Sequence, residues 1–398
     1  MTDNKNNIYQ KNLASRIDGL ESSIIRDIFS KLKDTNLISF ASGAPDTQTL
    51  PGELLAELNE LALKDYGNSI LQYGATEGFQ PLREIIAKKF SSRLNTVSEN
   101  NIFISSGAQS VLHLATMAFI NPLDKIGVEN PTFLGALKTF QAYEPNIIPI
   151  NTDDEGMTID SLTEVIKKHP LKFLYIIPTF QNPTGTSMSL KRKKELARLA
   201  IKNDLIIIED DPYYDLRYLG KDMPTLYSLA PNNVIYVGSL SKSFSPGMRL
   251  GFFVASEKIS KVLVTLKQGI DLHASTYAQA LATVFLQQGY FDTHNKKVNK
   301  IYSSRLEKMH EELSNLLGSE FTWKKPEGGM FLWLRCNKNI DTLALYQKAI
   351  KNGLAFIPGK PFFVGKESNN YIRLNFTGMT EKKIAKGIKK LSDIYYEK

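Results

Sequence analysis

The sequence has little cysteine and no long apolar run, and both shortages narrow the class of protein. Cys336 is the one cysteine among 398 residues, which excludes a disulfide framework and is typical of a reducing compartment. No stretch approaches the roughly 18 unbroken apolar residues of a membrane helix. Residues 1–11 are polar, unlike a signal peptide. We therefore expect a cytoplasmic protein with no membrane partner.

The sequence also has few clusters of charge, although its formal net charge is +8. Basic segments such as 191–194 and 382–390 have the spacing of solvent-exposed helix faces. We therefore expect no nucleic-acid partner. The composition of 42% hydrophobic and 23% charged residues is that of an ordinary globular protein, which excludes disordered and fibrous chains.

Short apolar runs alternate with amphipathic segments from about residue 101, and we find no internal repeat. This alternation is typical of β-α units around a mostly parallel sheet, so we predict an α/β fold. The expected strands cover residues 102–105, 125–129, 173–177, 205–209, 234–237 and 250–254. Ser189 is expected to cap a helix between the third and fourth of these strands.

The length of the chain and a change of pattern near residue 289 predict more than one domain. A chain of 398 residues exceeds the ~250 to 300 at which single cores stop growing. After residue 289, a charged helix precedes short strands at 329–334 and 371–376, which favours a smaller α+β domain. We expect an N-terminal arm at 1–50 that packs on the small domain, a large domain at 51–290 and the small domain at 291–398.

A lysine flanked by hydroxyl groups follows the predicted strand at 234–237. Ser239, Ser241 and Lys242 precede Arg249, and α/β sheets bind ligands at the carboxyl ends of their strands. Hydroxyls and an arginine suit a phosphate beside a lysine that forms a Schiff base. The alternative is a serine-rich loop that binds nothing.

Three consecutive carboxylates, Glu209, Asp210 and Asp211, close another predicted strand and precede Pro212 and Tyr213. Carboxylates at the end of a buried strand lose solvation unless a cation meets them. A protonated pyridine nitrogen is such a cation, and its protonation makes the ring an electron sink. A metal site and a structural cap are the alternatives, and the absence of a nearby histidine disfavours the metal.

Asn182 lies in a turn of prolines and glycine at residues 178–185. Such a turn holds the amide rigidly at the sheet edge, where it can donate to a phenolate oxygen. The alternative is a plain Asn-Pro turn.

A glycine turn at Ser106, Gly107, Ala108 and Gln109 enters an apolar helix. Free N–H groups and the positive end of the helix dipole make a phosphate site there. The turn lacks the lysine of a Walker loop and the three glycines of a dinucleotide fingerprint. We therefore predict phosphate binding without ATP or NAD.

Arg373 stands alone in an apolar strand. A buried guanidinium needs an anion, and a carboxylate fits its planar fork. A structural salt bridge is the alternative.

In chain order, these motifs resemble the class I/II aminotransferases, pyridoxal-phosphate enzymes of fold type I, over nearly the whole chain. The resemblance implies an α/β fold with a large domain on a mostly parallel sheet, pyridoxal phosphate as cofactor and no metal. It also implies that an L-amino acid passes its amino group to a 2-oxo acid, most often 2-oxoglutarate, by a ping-pong mechanism.

The family's site residues carry over onto the positions that match its motifs. Lys242 resembles the lysine that forms the Schiff base, and Asp210 the acid that pairs with the pyridine nitrogen. Asn182 and Tyr213 resemble donors to the phenolic oxygen, and Arg373 the arginine that binds the substrate carboxylate. The residues implied to hold the phosphate are Ser106, Gly107, Ala108, Gln109, Ser239, Ser241 and Arg249.

Phe133 stands where the family often has a ring-stacking tyrosine, so stacking is kept and a phenolic hydrogen bond is lost. Tyr73 resembles the tyrosine that reaches the phosphate of the neighbouring subunit, which implies a homodimer with shared active sites. Residues 38–45 and 210–213 resemble the branch of 2-aminoadipate and kynurenine aminotransferases. There Gly43 would lie near the substrate, and Arg26 would contact acidic side chains unless it is an ordinary helix-surface residue.

Two other functions could use the same residues. A lyase or decarboxylase needs the same lysine and aspartate, because the reaction depends on which α-bond stands perpendicular to the ring. A non-catalytic, amino-acid-sensing domain normally follows a DNA-binding helix-turn-helix, and the residues before Phe40 are too few for one. The amino donor stays open among aromatic, branched and acidic amino acids.

Overall fold

The computed structural model describes residues 12–17, 37–95, 97–338, 340–365 and 368–397. Strands β2 to β9 form an eight-stranded sheet in the order β2-β9-β8-β7-β6-β3-β4-β5. The strands are β1 (Ile38–Ser39), β2 (Phe103–Ser105), β3 (Lys125–Asn130), β4 (Asn146–Asp153), β5 (Gly156–Met157), β6 (Leu171–Ile176), β7 (Ile207–Asp210), β8 (Val234–Ser239), β9 (Gly251–Val254), β10 (Phe321–Thr322), β11 (Phe331–Cys336), β12 (Leu354–Ala355), β13 (Ile357–Pro358) and β14 (Tyr371–Asn375).

Helices cover both faces of the large sheet, so the apolar side chains of its central strands are buried on either side. In β6, Phe173 and Tyr175 face one core, whereas Leu174 and Ile176 face the other. The helices are α1 (Leu55–Tyr66), α2 (Gln80–Lys89), α3 (Ser91–Leu94), α4 (Ala108–Phe119), α5 (Leu134–Gln141), α6 (Ile159–Lys168), α7 (Leu190–Lys202), α8 (Leu226–Leu229), α9 (Glu257–Gln268), α10 (Thr276–Gln287), α11 (Tyr290–Leu317), α12 (Thr342–Lys351) and α13 (Glu381–Tyr396). The predicted α/β class is confirmed.

Helix α7 confirms one expectation and corrects another. The Ser189 hydroxyl caps the helix by accepting the N–H of Arg192 at 3.3 Å. The basic segment 191–194 was expected to be solvent-exposed, but Lys193 is buried and its Nζ donates to the Pro224 carbonyl at 3.1 Å. Burial lowers the pKa of Lys193, and the carboxylates of Glu209 and Asp211 oppose that shift. The buried cation therefore compensates buried acids at the end of β7.

A second, four-stranded antiparallel sheet has the order β10-β11-β14-β13. The core on one face of the large sheet continues into it through residues such as Leu332 and Leu374. Helix α11 joins the two parts, since Phe291 packs in one core and Leu313 in the other. The division at residue 290 stays a prediction. Among the described residues, no helix is long and apolar enough to cross a membrane.

The segment that follows residue 36 is hydrogen-bonded to strands β12 and β14. Strand β1 pairs in parallel with β12. Next, the Phe40 N–H donates to the Ala355 carbonyl, and the Phe40 carbonyl accepts from the Asn375 N–H, both at 2.8 Å. These bonds fix the backbone that leads into residues 41–44.

Strand directions bring several loops to one edge of the large sheet. Strands β3, β6, β7 and β8 are parallel, so their carboxyl ends lie together. Strand β9 is antiparallel to both β8 and β2, so it begins at the edge where they end. Ser105 of β2 and Ser239 of β8 are both in register with Gly251 of β9. The glycine turn after β2 and the lysine loop after β8 therefore meet there.

Gly251 allows the turn at residues 107–108 to pack directly on β9. A Cβ at Gly251 would lie 2.8 Å from the Gly107 carbonyl carbon and 2.8 Å from the Ala108 nitrogen. Backbone cannot yield as a flexible side chain does, so Gly251→Ala should lower the free energy of unfolding by about 1 to 3 kcal/mol. Urea denaturation measures this. Gly52→Ala is the control, because a Cβ there has no neighbour within 4 Å. Equal losses in the two variants would contradict the packing argument.

Candidate active site

The loops at the edge of the large sheet where β3, β6, β7 and β8 end enclose a cavity of about 390 Å³. Most of the residues predicted to form the site line it together: Gly43, Ala108, Gln109, Phe133, Asn182, Asp210, Tyr213, Ser239, Ser241, Lys242, Arg249 and Arg373. Ser106 and Gly107 lie outside this lining, and Tyr73 is on the surface with 81% exposure. Arg26 lies outside the described residues.

Lys242 enters the cavity from the loop after β8. Its Nζ donates to the Gly43 carbonyl at 2.7 Å, and the Ser239 hydroxyl steadies the loop by accepting the Ser241 N–H at 3.2 Å. Burial, with smaller contributions from the Arg249 and Arg373 cations, lowers the pKa of Lys242 to about 8. A substantial fraction of this amine is therefore neutral near physiological pH, as a nucleophile or base requires.

The three consecutive carboxylates point in alternate directions, as side chains of an extended strand do. Glu209 accepts the N–H groups of Leu226 and Tyr227 at 2.8 Å each, so it caps the start of α8. Asp211 accepts the Tyr236 hydroxyl at 3.3 Å. Asp210 alone of the three lines the cavity. Glu209 therefore acts as a structural helix cap, which was one of the alternatives for these carboxylates, whereas Asp210 does not.

Asp210 is buried and only half satisfied. Its Oδ2 accepts the Tyr175 hydroxyl at 2.7 Å, whereas its Oδ1 has no hydrogen-bond partner among the described residues. Burial raises the pKa of Asp210 to about 7, although the Tyr175 bond opposes the shift. A cationic donor in the cavity would therefore find an oxygen ready to accept it. Among the described residues, no group of three or more histidine, cysteine, aspartate or glutamate side chains could hold a metal ion.

Arg373 reaches the cavity from the second sheet and is held on two sides. Its Nη1 donates to the Asn182 Oδ1 and its Nη2 to the Ala41 carbonyl, both at 2.8 Å. The guanidinium carbon lies 4.2 Å from the centre of the Phe331 ring. Burial lowers the pKa of Arg373 to about 10. The Nε is buried and finds no partner in the described ranges, so the group is oriented and still has donors for an anion.

Asn182 links this arginine to Tyr213. The peptide bond between Asn182 and Pro183 is cis. While Oδ1 accepts from Arg373, Nδ2 lies 3.4 Å from the Tyr213 hydroxyl, which is buried. One amide therefore orients both a cation and a phenol in the cavity wall.

Arg249 lies over the glycine turn that begins α4. A Cβ on Gly107, which has a φ of +90°, would lie 2.7 Å from the Arg249 Nη2. Arg249 forms no ion pair within the described residues. An exposed cation beside the N-terminus of a twelve-residue helix makes a site for an anion.

Sequence reasoning missed several residues of this site. Tyr175 could have been noticed, because a tyrosine inside an apolar strand needs a partner for its hydroxyl. The Ala41 carbonyl gives no sequence signal, because any residue has one. The remaining cavity-lining residues that were not predicted are Leu112, Leu134, Gly135, Lys138, Ile177, Pro212, Pro246 and Ile357.

Known proteins are similar to this chain over nearly its whole length. The aminotransferase class I and II family profile matches residues 35–391. The chain is 38% identical to aromatic-amino-acid aminotransferase 1 of Thermococcus litoralis, over 98% of this chain and 95% of that protein. It is 33% identical to 2-aminoadipate transaminase of Thermus thermophilus, over 94% and 93% respectively. Pyrococcus horikoshii kynurenine aminotransferase, solved with PMP, KYN and KYA, aligns with a TM-score of 0.94 at 37% identity, covering 98% of each chain. The chain therefore belongs to the class I and II aminotransferase family and is a pyridoxal-phosphate-dependent aminotransferase of fold type I.

Proposed function

We propose that this aminotransferase moves the amino group of an L-amino acid to 2-oxoglutarate in a ping-pong reaction that uses Lys242. One observation carries the proposal, namely that an amine, a buried acid and a buried guanidinium reach the same cavity from separate strands. These groups are Lys242, Asp210 and Arg373. The amine of Lys242 suits an aldehyde, the acid of Asp210 suits a ring nitrogen, and the guanidinium of Arg373 suits a carboxylate.

The donors and acceptors present fit pyridoxal phosphate. The unpartnered Oδ1 of Asp210 suits a protonated ring nitrogen, and Arg249 with the turn at 106–108 suits the phosphate. Asn182 and Tyr213 would donate to the phenolic oxygen, with Phe133 stacked on the ring. When bound, the cofactor supplies an aldehyde carbon and a ring that accepts electrons from the substrate's α-carbon.

Lys242 would act as the general base that moves the α-proton of the substrate. Its pKa of about 8 lets the Nζ accept a proton near neutral pH and give it up again. In the free protein the Nζ is held by the Gly43 carbonyl. Gly43 would therefore help to position the amine in the cavity.

Arg373 would bind the α-carboxylate that amino acids and 2-oxo acids share. Its bonds to Asn182 and Ala41 fix the plane of the guanidinium, so little freedom is lost when a carboxylate binds. This one group would serve both halves of the reaction. Arg26 remains our candidate for contacts with acidic side chains.

We extend the proposal to a homodimer in a reducing, cytoplasmic environment. Tyr73 is 81% exposed next to Leu71 at 68% and lies edge-on to His273. Exposed apolar side chains of this size favour burial against another subunit, where Tyr73 would reach the partner's phosphate. The free, buried Cys336 is consistent with a reducing compartment.

Incubation of the protein with 2-oxoglutarate and a panel of aromatic, branched and 2-aminoadipate-like donors should release glutamate. Lys242→Ala should abolish glutamate formation, because the variant loses the base and the covalent amine. Lys191→Ala, at an exposed position, should retain it. Ammonia or carbon dioxide release without glutamate from any donor would contradict the proposal in favour of a lyase or decarboxylase.

Asp210 should make the cofactor-free protein less stable as pH rises. Burial raises its pKa to about 7, against ~3.9 in an unfolded chain. Between these values the folded state keeps a proton that the unfolded state has lost, so stability falls with rising pH by up to ~1.4 kcal/mol per unit. Asp210→Asn should remove this part of the slope between about pH 4.5 and 7, measured by urea denaturation. Ser92→Ala, which changes no titratable group and is at an exposed position, should leave the slope unchanged. An unaltered slope in Asp210→Asn would reject the burial argument.

Arg373→Lys should raise the KM for the amino donor and lower kcat/KM by about 10- to 100-fold, because lysine keeps the charge but loses the planar fork. Steady-state kinetics with the best donor of the panel measures this. Arg335→Lys is the control, since Arg335 lies on the neighbouring strand β11 and is exposed. Equal kinetics in Arg373→Lys and the wild type would remove Arg373 from the carboxylate site.

A further inference from the structure

An ion pair between the buried Lys267 and the partly exposed Asp271 lies behind the glycine turn of the phosphate site. The Ser106 hydroxyl donates to Asp271 Oδ2 at 2.6 Å, and Lys267 Nζ donates to Asp271 Oδ1 at 2.5 Å. Lys267 is only 1% exposed. We propose that Asp271, held by Lys267, is a positioning residue that fixes the turn at 106–108 for the cofactor phosphate. This inference rests on the proposed cofactor site.

The direction of the hydrogen bond defines how Ser106 contributes. A serine hydroxyl has one proton to donate, and Ser106 gives that proton to Asp271, which as a carboxylate can only accept. The hydroxyl is therefore not available as a donor to a phosphate. In this proposal Ser106 contributes to the phosphate site through the geometry of its backbone, while Ala108 and Arg249 line the cavity.

The charge of Lys267 makes the carboxylate compatible with an anion site. An unpaired carboxylate behind the turn would repel a phosphate, and an unpaired lysine would be costly to bury. Side by side, Lys267 and Asp271 have no net charge. The pair therefore fixes the hydroxyl without adding a repulsive field.

The end of helix α9 places Asp271 for this bond. The Lys267 carbonyl accepts the N–H groups of Ile270, Asp271 and Leu272 at 3.1, 3.1 and 3.2 Å. Leu272 then adopts a φ of +60°. The chain thus turns back on Lys267 immediately after the helix ends, which brings Asp271 against its own ion-pair partner.

The same loop holds the segment that carries Tyr73. The His273 N–H donates to the Asp271 carbonyl at 2.6 Å, and the His273 Nε2 accepts the Gly74 N–H at 3.2 Å. Asp271 therefore joins the phosphate turn of its own subunit to the segment that we propose reaches the partner's phosphate.

A double-mutant cycle on the cofactor dissociation constant tests this role. Lys267→Met with Asp271→Asn removes both charges, so neither is left buried alone. Titration of the cofactor-free dimer with pyridoxal phosphate, followed by absorbance, should show a dissociation constant about tenfold higher, the scale of one charge-assisted hydrogen bond. In a Ser106→Ala background, the same two substitutions should change the dissociation constant by less than about twofold. The reason is that the hydrogen bond between residue 106 and Asp271 is already absent.

The control is the ion pair of Glu257 and Lys261, which has the same four-residue spacing but lies within α9 and is exposed. Glu257→Gln with Lys261→Met should leave the dissociation constant within about twofold of the wild type. A full effect of the Lys267 and Asp271 changes in the Ser106→Ala background, or no effect in the wild-type background, would overturn the proposal. Failure of the wild type to bind pyridoxal phosphate would instead reject the proposed function together with this inference.

A second comparison covers the case in which the double variant does not fold. Ser106→Ala should raise the dissociation constant about tenfold, whereas Ser106→Thr keeps a hydroxyl that can donate to Asp271 and should stay near the wild-type value. Equal losses in both variants would contradict a role for the hydroxyl.

Discussion

The carboxylate of Asp210 is the group on which the arrangement of the cavity depends. It is buried at the end of a central strand, with one oxygen bonded to Tyr175 and the other without a partner in the part of the chain that the structure covers. Such a half-satisfied group destabilises the free protein. It also creates a position in the cavity where a cationic donor is stabilised more than any neutral group. Cofactor binding and protein stability are therefore coupled through this one side chain.

Asp210 can accept a cationic ligand because the acids beside it, Glu209 and Asp211, are paired with other cations. Because side chains alternate along β7, Glu209 and Asp211 face away from the cavity, toward Lys193 and Arg93. Arg93 is itself paired with Asp215 at 3.1 Å and lies between the rings of Phe90 and Tyr214. The acids beside Asp210 thus find their cations on the opposite face of the sheet. Within the part of the chain that the structure describes, Asp210 has no cationic partner, which keeps it available for a ligand.

The site residues that could be predicted from the sequence are those in short motifs at the ends of strands. Lys242, Asn182 and Asp210 follow apolar strands of the large sheet, and the rule that parallel strands end together brings them to one edge. The contacts that orient them join distant residues, such as Tyr175 to Asp210 across 35 positions, Ser106 to Asp271 across 165 and Ala41 to Arg373 across 332. Strand pairing and helix packing decide those contacts, and a one-dimensional pattern does not encode them. The burial of Lys193 was missed for the same reason, because its neighbours in the chain are charged and only the fold places acids beneath it.

Nitrogen-15 NMR of the enzyme loaded with pyridoxal phosphate labelled at the ring nitrogen tests the central claim most directly. The account predicts the chemical shift of a protonated pyridine nitrogen in the wild type. It predicts the shift of an unprotonated nitrogen in Asp210→Asn, because the amide has no charge to stabilise the cation. An unprotonated nitrogen in the wild type, or a protonated one in both proteins, would contradict it.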